Sequence, residues 1–258
     1  MSHLNKAMVV LSGGQDSTTC LYWAIHNNNF DEVHAVTFDY NQKHKREIEA
    51  AVTIAKMAGV TSHEVVELGP ILKGRSPLTN PDESLETYNS YEEMSDIIGE
   101  RTELTFVPMR NALFLTIAAN RAVCKDSYNL VTGVCEADNA NYPDCRGKFI
   151  KNQEDTIRTA LGLDKTVKSF FIWAPLLRKT KAETVKLAST LPGCMEALAY
   201  SHTAYSGEFP PKTQDHATVL RAEGFKEAGY PDPLIVRAHK EFGFPLPETP
   251  NYDSVRNI

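Results

Sequence analysis

The sequence predicts an α/β protein with a Rossmann-like, doubly wound parallel sheet and a smaller C-terminal helical lobe. Short apolar segments alternate with helical patterns over residues 1–190, and this alternation is typical of parallel strands with helices on both faces. The first apolar segment runs directly into a glycine-rich turn and a helix, an arrangement that suits phosphate binding. Beyond residue 190 the periodicity weakens and prolines recur. We therefore expect a sheet domain over 1–190 and a helical lobe with an extended tail over 191–258.

The composition argues against several classes of protein. A hydrophobic content of 42% in 258 residues is enough for a large core, and a net charge of −6 argues against sequence-independent nucleic-acid binding. No run approaches the roughly 18 apolar residues of a membrane span, and the first residues lack the apolar region of a secretion signal. The five cysteines form no CxxC pair. These features predict a reduced, cytoplasmic protein that does not contact a membrane.

The first strand and its turn predict a phosphate site. The apolar run Met8–Leu11 ends in the turn Ser12–Ser17, and a helical pattern follows to Ile25. Glycines in such a turn let backbone N–H groups approach an anion, and the helix N-terminus adds partial positive charge. No GK[ST] triplet follows the glycines, so this is not a Walker A loop. The alternative is a strand–helix turn that binds no ligand.

The next elements bring a second loop to the same edge of the sheet. Val33–Phe38 is a predicted strand that ends at Asp39–His44, and a helix follows from Lys45 to Ala58 with Gly59 beyond its C-terminus. His63–Leu68 is the third predicted strand. Because ligands in parallel sheets lie at the carboxyl ends of strands, the loop Asp39–His44 should face the glycine-rich turn.

Residues 70–103 interrupt the alternation of strands and helices. Eight acidic residues and one arginine lie between Asp82 and Glu103. We expect an acidic, mobile flap over the site, and a solvated linker without a role fits the composition equally well.

The second half of the sheet domain adds an arginine and a polar loop. Arg110 precedes a predicted helix over 112–125, a position that suits phosphate or carboxylate binding. A fourth strand over 128–133 leads into a loop rich in acidic residues, Tyr and Arg, which is a candidate for substrate recognition. The remaining predicted elements are a helix over 149–161, a strand over 170–176, and helices over 179–189 and 214–228. The end beyond Gly243 is predicted to be extended and to dock on this chain or on a partner.

Seven segments of the chain together resemble one enzyme family. In order, they are SGGQDSTTCL, VTFDYNQKH, FVPMRN, TGVCEAD, YPDCR, APLLRKTKAET and VLRAEGF. They resemble the 7-cyano-7-deazaguanine synthases of the queuosine pathway, the QueC family, over Ala7 to Phe225. The resemblance implies the fold of the PP-loop ATP pyrophosphatases, also called the HUP fold. It also implies ATP- and Mg²⁺-dependent adenylation of 7-carboxy-7-deazaguanine or a related deazapurine. Ammonia then gives the amide, and a second adenylation gives the nitrile, preQ0.

The resemblance also implies roles for individual residues. ATP is expected to contact Leu11, Ser12, Gly13, Gly14, Gln15, Asp16, Ser17, Thr18, Phe38, Asp39, Gln42, Arg110 and Gly133. Catalysis is expected from Asp16, Ser17, Arg110 and Lys181, with Asp16 a direct or water-mediated magnesium ligand. The deazaguanine is expected to contact Glu136, Asp138, Tyr142, Asp144 and Arg146, because carboxylates accept from a guanine-like N–H edge and arginine can face the 7-carboxylate.

The sequence departs from the family at its zinc site and at one glycine. The four positions that hold zinc cysteines in the family are here Ala204, Lys212, Asp215 and Thr218. A tetrahedral structural zinc needs four deprotonated ligands, so we expect no structural zinc. Met109 stands where the family has glycine, and its side chain is expected to reshape the phosphate edge of the pocket.

Three functional interpretations follow. The joint loss of four cysteines favours a specialised paralogue, since QueC-like enzymes of type IV CBASS antiphage operons join a deazaguanine to a protein amine. The first alternative is an ordinary synthase of the queuosine pathway without zinc, which uses ammonia. The second is a non-catalytic nucleotide-binding scaffold, against which the intact glycine-rich turn argues. The resemblance suggests a homodimer, and a complex with an operon partner is the other expectation.

Overall fold

The computed structural model describes residues 4–26, 30–137, 141–163 and 169–256. Its centre is a five-stranded sheet in the order β3-β2-β1-β4-β5, with all neighbouring strands parallel. The strands are β1 (Lys6–Val10), β2 (Glu32–Asp39), β3 (Ser62–Glu67), β4 (Asn129–Val131) and β5 (Phe171–Trp173). The predicted parallel sheet is therefore confirmed, and each observed strand overlaps a predicted one.

Helices connect the strands and continue beyond the sheet. They are α1 (Gln15–His26), α2 (Arg46–Ala58), α3 (Tyr91–Ile98), α4 (Arg110–Val123), α5 (Gly147–Ala160), α6 (Lys181–Thr190), α7 (Cys194–Leu198), α8 (His216–Ala228), α9 (Pro233–Phe242) and α10 (Asp253–Arg256). Within the described residues, no helix is both long and apolar enough to cross a membrane.

The sheet is buried on both faces, as a doubly wound fold requires. Successive side chains of β1 alternate between the two faces: Ala7 and Val9 join a core with α1, α2, α6 and α7, and Met8 joins a core with α4 and α5. Leu21 of α1 and Leu115 of α4 are almost fully buried on opposite faces. The central strands β1, β2 and β4 are accordingly buried almost without interruption, whereas the edge strands β3 and β5 keep exposed positions.

Local capping decides where α2 ends and where α6 begins. Gly59 follows α2 with a left-handed φ of 64°, which confirms the predicted end of that helix. Thr180 caps α6 through a reciprocal capping box with Glu183, so the helix begins at Lys181 rather than at Lys179. The fourth helix begins at Arg110, two residues before the predicted start.

The acidic segment 70–103 contains a helix that packs on the C-terminal part of the chain. Ser90 caps α3, and Tyr88, Met94 and Ile98 are almost fully buried against Val219 of α8 and its neighbour. Apolar side chains thus anchor this segment while most of its acidic groups stay on the outside. Its predicted movement over the site stays a prediction.

The C-terminal residues fold back on this chain. α9 lies in the segment where recurring prolines and weak periodicity predict no helix, but its Pro233 occupies the first helical position, where proline is well tolerated. Beyond α9, the Tyr252 hydroxyl accepts a hydrogen bond from the backbone N–H of Asp232 (3.2 Å) and is itself buried. α8 also packs along α6, and the proposed division at residue 190 stays a prediction.

Candidate active site at the carboxyl edge of the sheet

A cavity of about 320 Å³ opens at the carboxyl ends of β1, β2 and β4. The chain leaves β1 toward β2 on one side and β4 lies on the other, so the cavity is at the switch point of the sheet, where α/β proteins bind ligands. Its walls come from the glycine-rich turn, the loops after β2 and β4, the start of α4, Lys181 of α6 and the segment around Tyr205.

Hydrogen bonds between serine and threonine side chains and the backbone hold the glycine-rich turn in shape. The backbone N–H of Ser12 donates to Oγ of Ser17 (3.1 Å), and the carbonyl of Gly14 accepts from Oγ1 of Thr18 (2.8 Å). Gly13 has a φ of 85°, and a Cβ there would lie 2.2 Å from the backbone oxygen of Glu47. Only glycine permits both this conformation and this contact with α2. The turn is therefore preorganised before any anion binds.

Lys181 and Asp16 form an ion pair across the mouth of the turn. Nζ of Lys181 lies 2.8 Å from Oδ2 and 3.1 Å from Oδ1 of Asp16, and the two side chains are 10% and 25% exposed. Lys181 begins α6 and Asp16 lies in the first turn of α1. The sequence-predicted catalytic residues Asp16, Ser17, Arg110 and Lys181 all line the same cavity.

Arg110 brings a permanent positive charge to the opposite wall. Its nearest titratable neighbours include Tyr40, Tyr142 and Tyr205. Burial raises the pKa of Tyr40 and of Tyr205, so both phenols stay neutral at pH 7 and can donate hydrogen bonds. An anion in the cavity could therefore be bound by the Arg110 guanidinium and by the neutral hydroxyl groups of Tyr40 and Tyr205.

Glu47 lines the cavity beside Arg110. Burial raises the pKa of its carboxyl to about 7, the positive charge of Arg110 opposes that shift, and Asp215 adds to it. The group therefore changes charge near neutral pH.

The loop after β4 brings only part of its predicted set to the cavity. Glu136, Tyr142 and Arg146 line it, and the Glu136 carboxylate accepts from the backbone N–H of Gly147 (3.1 Å). Asp144 does not line it: the buried carboxylate accepts from the backbone N–H of Asn111 (3.3 Å) at the start of α4. Asp138 lies outside the described residues.

Most of the predicted ATP residues lie on the cavity, and three do not. Leu11, Ser12, Gly14, Gln15, Phe38, Gln42 and Gly133 line it, in addition to Asp16, Ser17 and Arg110. Gly13 is covered by α2, and the Thr18 side chain is buried against the carbonyl of Gly14. Asp39 turns away from the cavity, since its carboxylate pairs with Nζ of Lys45 at 2.8 Å. The ATP contacts expected of Gly13, Thr18 and Asp39 stay predictions.

Met109 does not reshape the cavity as expected. Its side chain is 69% exposed and is not part of the wall. The backbone of Met109 has a φ of 65°, the left-handed conformation that glycine adopts at no cost. The position thus keeps the backbone geometry of glycine, and Arg110 still begins α4.

Comparison with known proteins shows the family of this chain. The family model "Queuosine biosynthesis protein QueC" matches residues 6–229. The chain belongs to the QueC family. A relative named 7-cyano-7-deazaguanine synthase in Gloeobacter violaceus is 48% identical over 233 residues, which cover 90% of this chain and 96% of that protein. Another of that name, in Chromobacterium violaceum, is 44% identical over 241 residues, which cover 92% of this chain and 95% of that protein.

Several residues that line the cavity of this QueC-family protein were not predicted from the sequence. Tyr40 and His44 lie within the quoted motif VTFDYNQKH, so their position in the motif was an available signal. Glu47 is one helical turn beyond His44, which was a weaker signal. Tyr205 and His202 come from a segment that the fold brings back to the cavity, and no pattern in the sequence indicated them.

Hydrogen bonds connect the positions that hold zinc cysteines in the family. The Asp215 carboxylate accepts from the backbone N–H of Tyr205 (2.7 Å) and from the backbone N–H and the hydroxyl of Thr218 (2.9 and 2.8 Å). Asp215 thereby caps α8 and ties it to the segment that begins with the buried Ala204. In the described part of the chain, no three His, Cys, Asp or Glu side chains are grouped so that they could hold a metal. The absence of zinc stays a prediction.

Proposed function

We propose that this protein uses ATP to adenylate 7-carboxy-7-deazaguanine and then transfers the acyl group to a nitrogen nucleophile. The observation that supports it best is the meeting of the preorganised turn Ser12–Ser17, the Lys181–Asp16 pair and Arg110 on one cavity. The relatives in the family that are named 7-cyano-7-deazaguanine synthase, at 44% to 48% identity, give the substrate and reaction class.

Activation is needed because a carboxylate oxygen is a poor leaving group. In the proposed first step, a carboxylate oxygen attacks the α-phosphorus of ATP, and the bond to the pyrophosphate oxygen breaks. Backbone N–H groups of the turn Ser12–Ser17 hold the leaving pyrophosphate, and Lys181 neutralises its charge. Arg110 faces the reacting oxygens, where a guanidinium can bind carboxylate or phosphate through two hydrogen bonds. The main contributions are positioning and electrostatic stabilisation.

The residues present fit a magnesium ion bound mainly by phosphate oxygens. Asp16 offers a partly exposed carboxylate on the cavity, and Mg²⁺ is commonly held by one or two carboxylates together with substrate phosphates. Such an ion would neutralise phosphate charge. When ATP binds, the Asp16 carboxylate would bind the metal in place of the Lys181 ammonium group. That ammonium group would then be able to contact a phosphate.

In the second step, the nitrogen nucleophile attacks the acyl carbon and AMP leaves with the electron pair of the C–O bond. With ammonia the product is the amide, and a second adenylation followed by loss of AMP gives the nitrile. A protein amine would give a conjugate instead. The name of the relatives, 7-cyano-7-deazaguanine synthase, favours a route that ends at the nitrile; ammonia as the nucleophile and conjugation in antiphage defence both stay predictions.

Mass spectrometry of a reaction with ATP, Mg²⁺, 7-carboxy-7-deazaguanine and ammonia tests the proposal. We expect AMP, pyrophosphate and the amide or nitrile. Asp16→Ala should reduce AMP formation at least about 100-fold, and Asp155→Ala, at an exposed site on α5, is the matched control. Absence of AMP from the wild-type reaction would refute the assignment and favour a nucleotide-binding scaffold. A product that stops at the adenylate until a protein amine is added would favour the specialised paralogue.

A further inference from the structure

Glu47 is a carboxylate that the proposed activation step does not use. It lies in the first turn of α2, and its backbone oxygen is the atom that a Cβ on Gly13 would meet. This contact fixes Glu47 against the glycine-rich turn. Its side chain lines the same cavity as Lys181 and Arg110. Glu47 thus lies on the wall of the cavity in which the proposed activation takes place.

The Glu47 carboxylate is available for a ligand. Among the described residues it has no hydrogen bond or ion pair, in contrast to Asp16, Asp144 and Asp215 in and around the same site. A half-buried carboxylate in a protein cavity usually has such partners, because partly removing it from water unpaired is costly. A cationic or N–H-bearing ligand that enters the cavity would supply the missing hydrogen bonds.

We propose that Glu47 binds the incoming ammonium ion and accepts one proton from it, so that neutral ammonia attacks the acyl adenylate. This inference rests on the proposed function. The proton moves from ammonium to the Glu47 carboxylate. The ammonia lone pair then forms the C–N bond, the C–O bond to AMP breaks, and a second proton leaves the new amide nitrogen to AMP phosphate or water.

The charges around Glu47 suit this role. Arg110 from α4, Asp215 at the start of α8 and Tyr40 after β2 are the titratable groups that act on it, and Arg46 and His44 flank it on its own segment. Burial brings the pKa of Glu47 to about 7, where a base is both substantially deprotonated and able to hold a proton. Activity with ammonia should therefore fall as pH drops below about 7, because Glu47 becomes protonated.

The test compares Glu47→Gln with wild type in three assays. The first is ATP–pyrophosphate exchange with 7-carboxy-7-deazaguanine and no ammonia, which reports adenylation alone. The second is amide formation from ammonia, and the third is hydroxamate formation from hydroxylamine, which is largely neutral at pH 7 and needs no base to remove a proton before attack. Glu49→Gln, on the same helix but exposed, is the control.

We expect Glu47→Gln to keep exchange and hydroxamate formation within about 3-fold and to lose amide formation by about 100-fold, the range for a general base. At a fixed concentration of ammonium, wild-type amide formation should rise with pH and level off above about 7, whereas the residual rate of the variant should keep rising in proportion to free ammonia. Wild-type amide formation by Glu47→Gln would overturn the proposal. The proposal would also be overturned if Glu47→Gln lost hydroxamate formation as strongly as amide formation. It would be overturned as well if the variant lost ATP–pyrophosphate exchange and showed a raised KM for the deazaguanine. In either case Glu47 would bind the deazaguanine substrate rather than ammonium. If wild type itself shows no exchange, the proposed function fails first, and the role of Glu47 with it.

Discussion

Lys181 reaches Asp16 because the Cα of Gly224 lies directly against the Lys181 stem. A Cβ at Gly224 would be 2.4 Å from Cγ and 2.9 Å from Cβ of Lys181. Residue 224 is in the middle of α8, where glycine costs about 1 kcal/mol relative to alanine. Glycine at position 224 thus lowers the helix propensity of α8. In return, it leaves room for the Lys181 stem of α6, which extends over the glycine-rich turn.

Substituting Gly224 tests this relationship. Gly224→Ala should improve the helix propensity of α8 yet displace Lys181, so that AMP formation falls by about 10- to 100-fold while the protein stays folded. Gly74→Ala is a suitable control, because its nearest added contact would be at 3.8 Å. The measurements are initial rate and circular dichroism. Unchanged activity in Gly224→Ala would show that the exact position of the Lys181 stem is unimportant.

Met109 is a site where stability should increase. Its left-handed φ of 65° costs an L-residue about 1 kcal/mol, and its exposed side chain contributes little packing to offset this cost. We expect Met109→Gly to raise the free energy of unfolding by about 0.5–1 kcal/mol without loss of activity. Urea denaturation measures this, and a destabilised variant would show that the Met109 side chain makes a useful contact.

The Arg221–Asp232 pair should be one of the most sensitive sites for folding. The guanidinium donates to both Asp232 oxygens at 2.6 and 2.8 Å and also to the hydroxyls of Ser201 and Thr203, and both charged side chains are at most 4% exposed. Asp232→Ala leaves the arginine charge buried and unpaired, which should cost about 3–5 kcal/mol.

Arg221→Met together with Asp232→Leu should be less destabilising than Asp232→Ala alone, because no buried charge remains. Thermal denaturation of the three proteins separates these cases. Equal destabilisation by the single and double substitutions would mean that shape, rather than charge, dominates at this site.

Asp215 should stabilise the lobe through the hydrogen bonds that it accepts at the start of α8. Asp215→Ala removes the cap of α8 and leaves the backbone N–H of Tyr205 without its acceptor, for a cost of about 2–3 kcal/mol. A strong chelator should leave the Tm of the wild type unchanged. A chelator-induced drop in Tm, or one equivalent of zinc in elemental analysis, would contradict this account.

His202 should make the protein less stable in acid. Burial lowers the pKa of its imidazole to about 4 from a usual value near 6.5, and its ring hydrogen-bonds to the carbonyl of Ala204 at 2.7 Å. Because the folded state resists protonation, this group favours folding above pH 6.5 and its contribution disappears as pH falls toward 4.

Between pH 6.5 and pH 4, the contribution of His202 to the free energy of unfolding falls by roughly 3 kcal/mol at most. Substitution His202→Asn should flatten the fall in unfolding free energy between pH 6.5 and 4. If the free energy of unfolding falls equally with pH in wild type and in His202→Asn, His202 is not the group responsible for the loss of stability in acid.

Asp39, Thr18 and Asp144 show what a sequence motif leaves undecided. Each lies in or beside a quoted motif, but Asp39 pairs with Lys45, Thr18 bonds the carbonyl of Gly14, and Asp144 bonds the start of α4. A motif shows which residues a site requires. It does not distinguish side chains that face the ligand from those that hold the loop in shape, because both kinds have polar groups.

The sequence by itself determined the parallel sheet, the glycine-rich turn and the edge at which the site forms. These follow from local physics: apolar runs that must be buried on both faces, glycines that allow close backbone approach, and caps within a few residues of each helix end. The tertiary structure alone decided that Lys181 meets Asp16, that Glu47 faces Arg110, and that the segment around Tyr205 closes the cavity. Those contacts join residues as many as 165 positions apart, and a pair so distant leaves no periodic or local signal in one sequence.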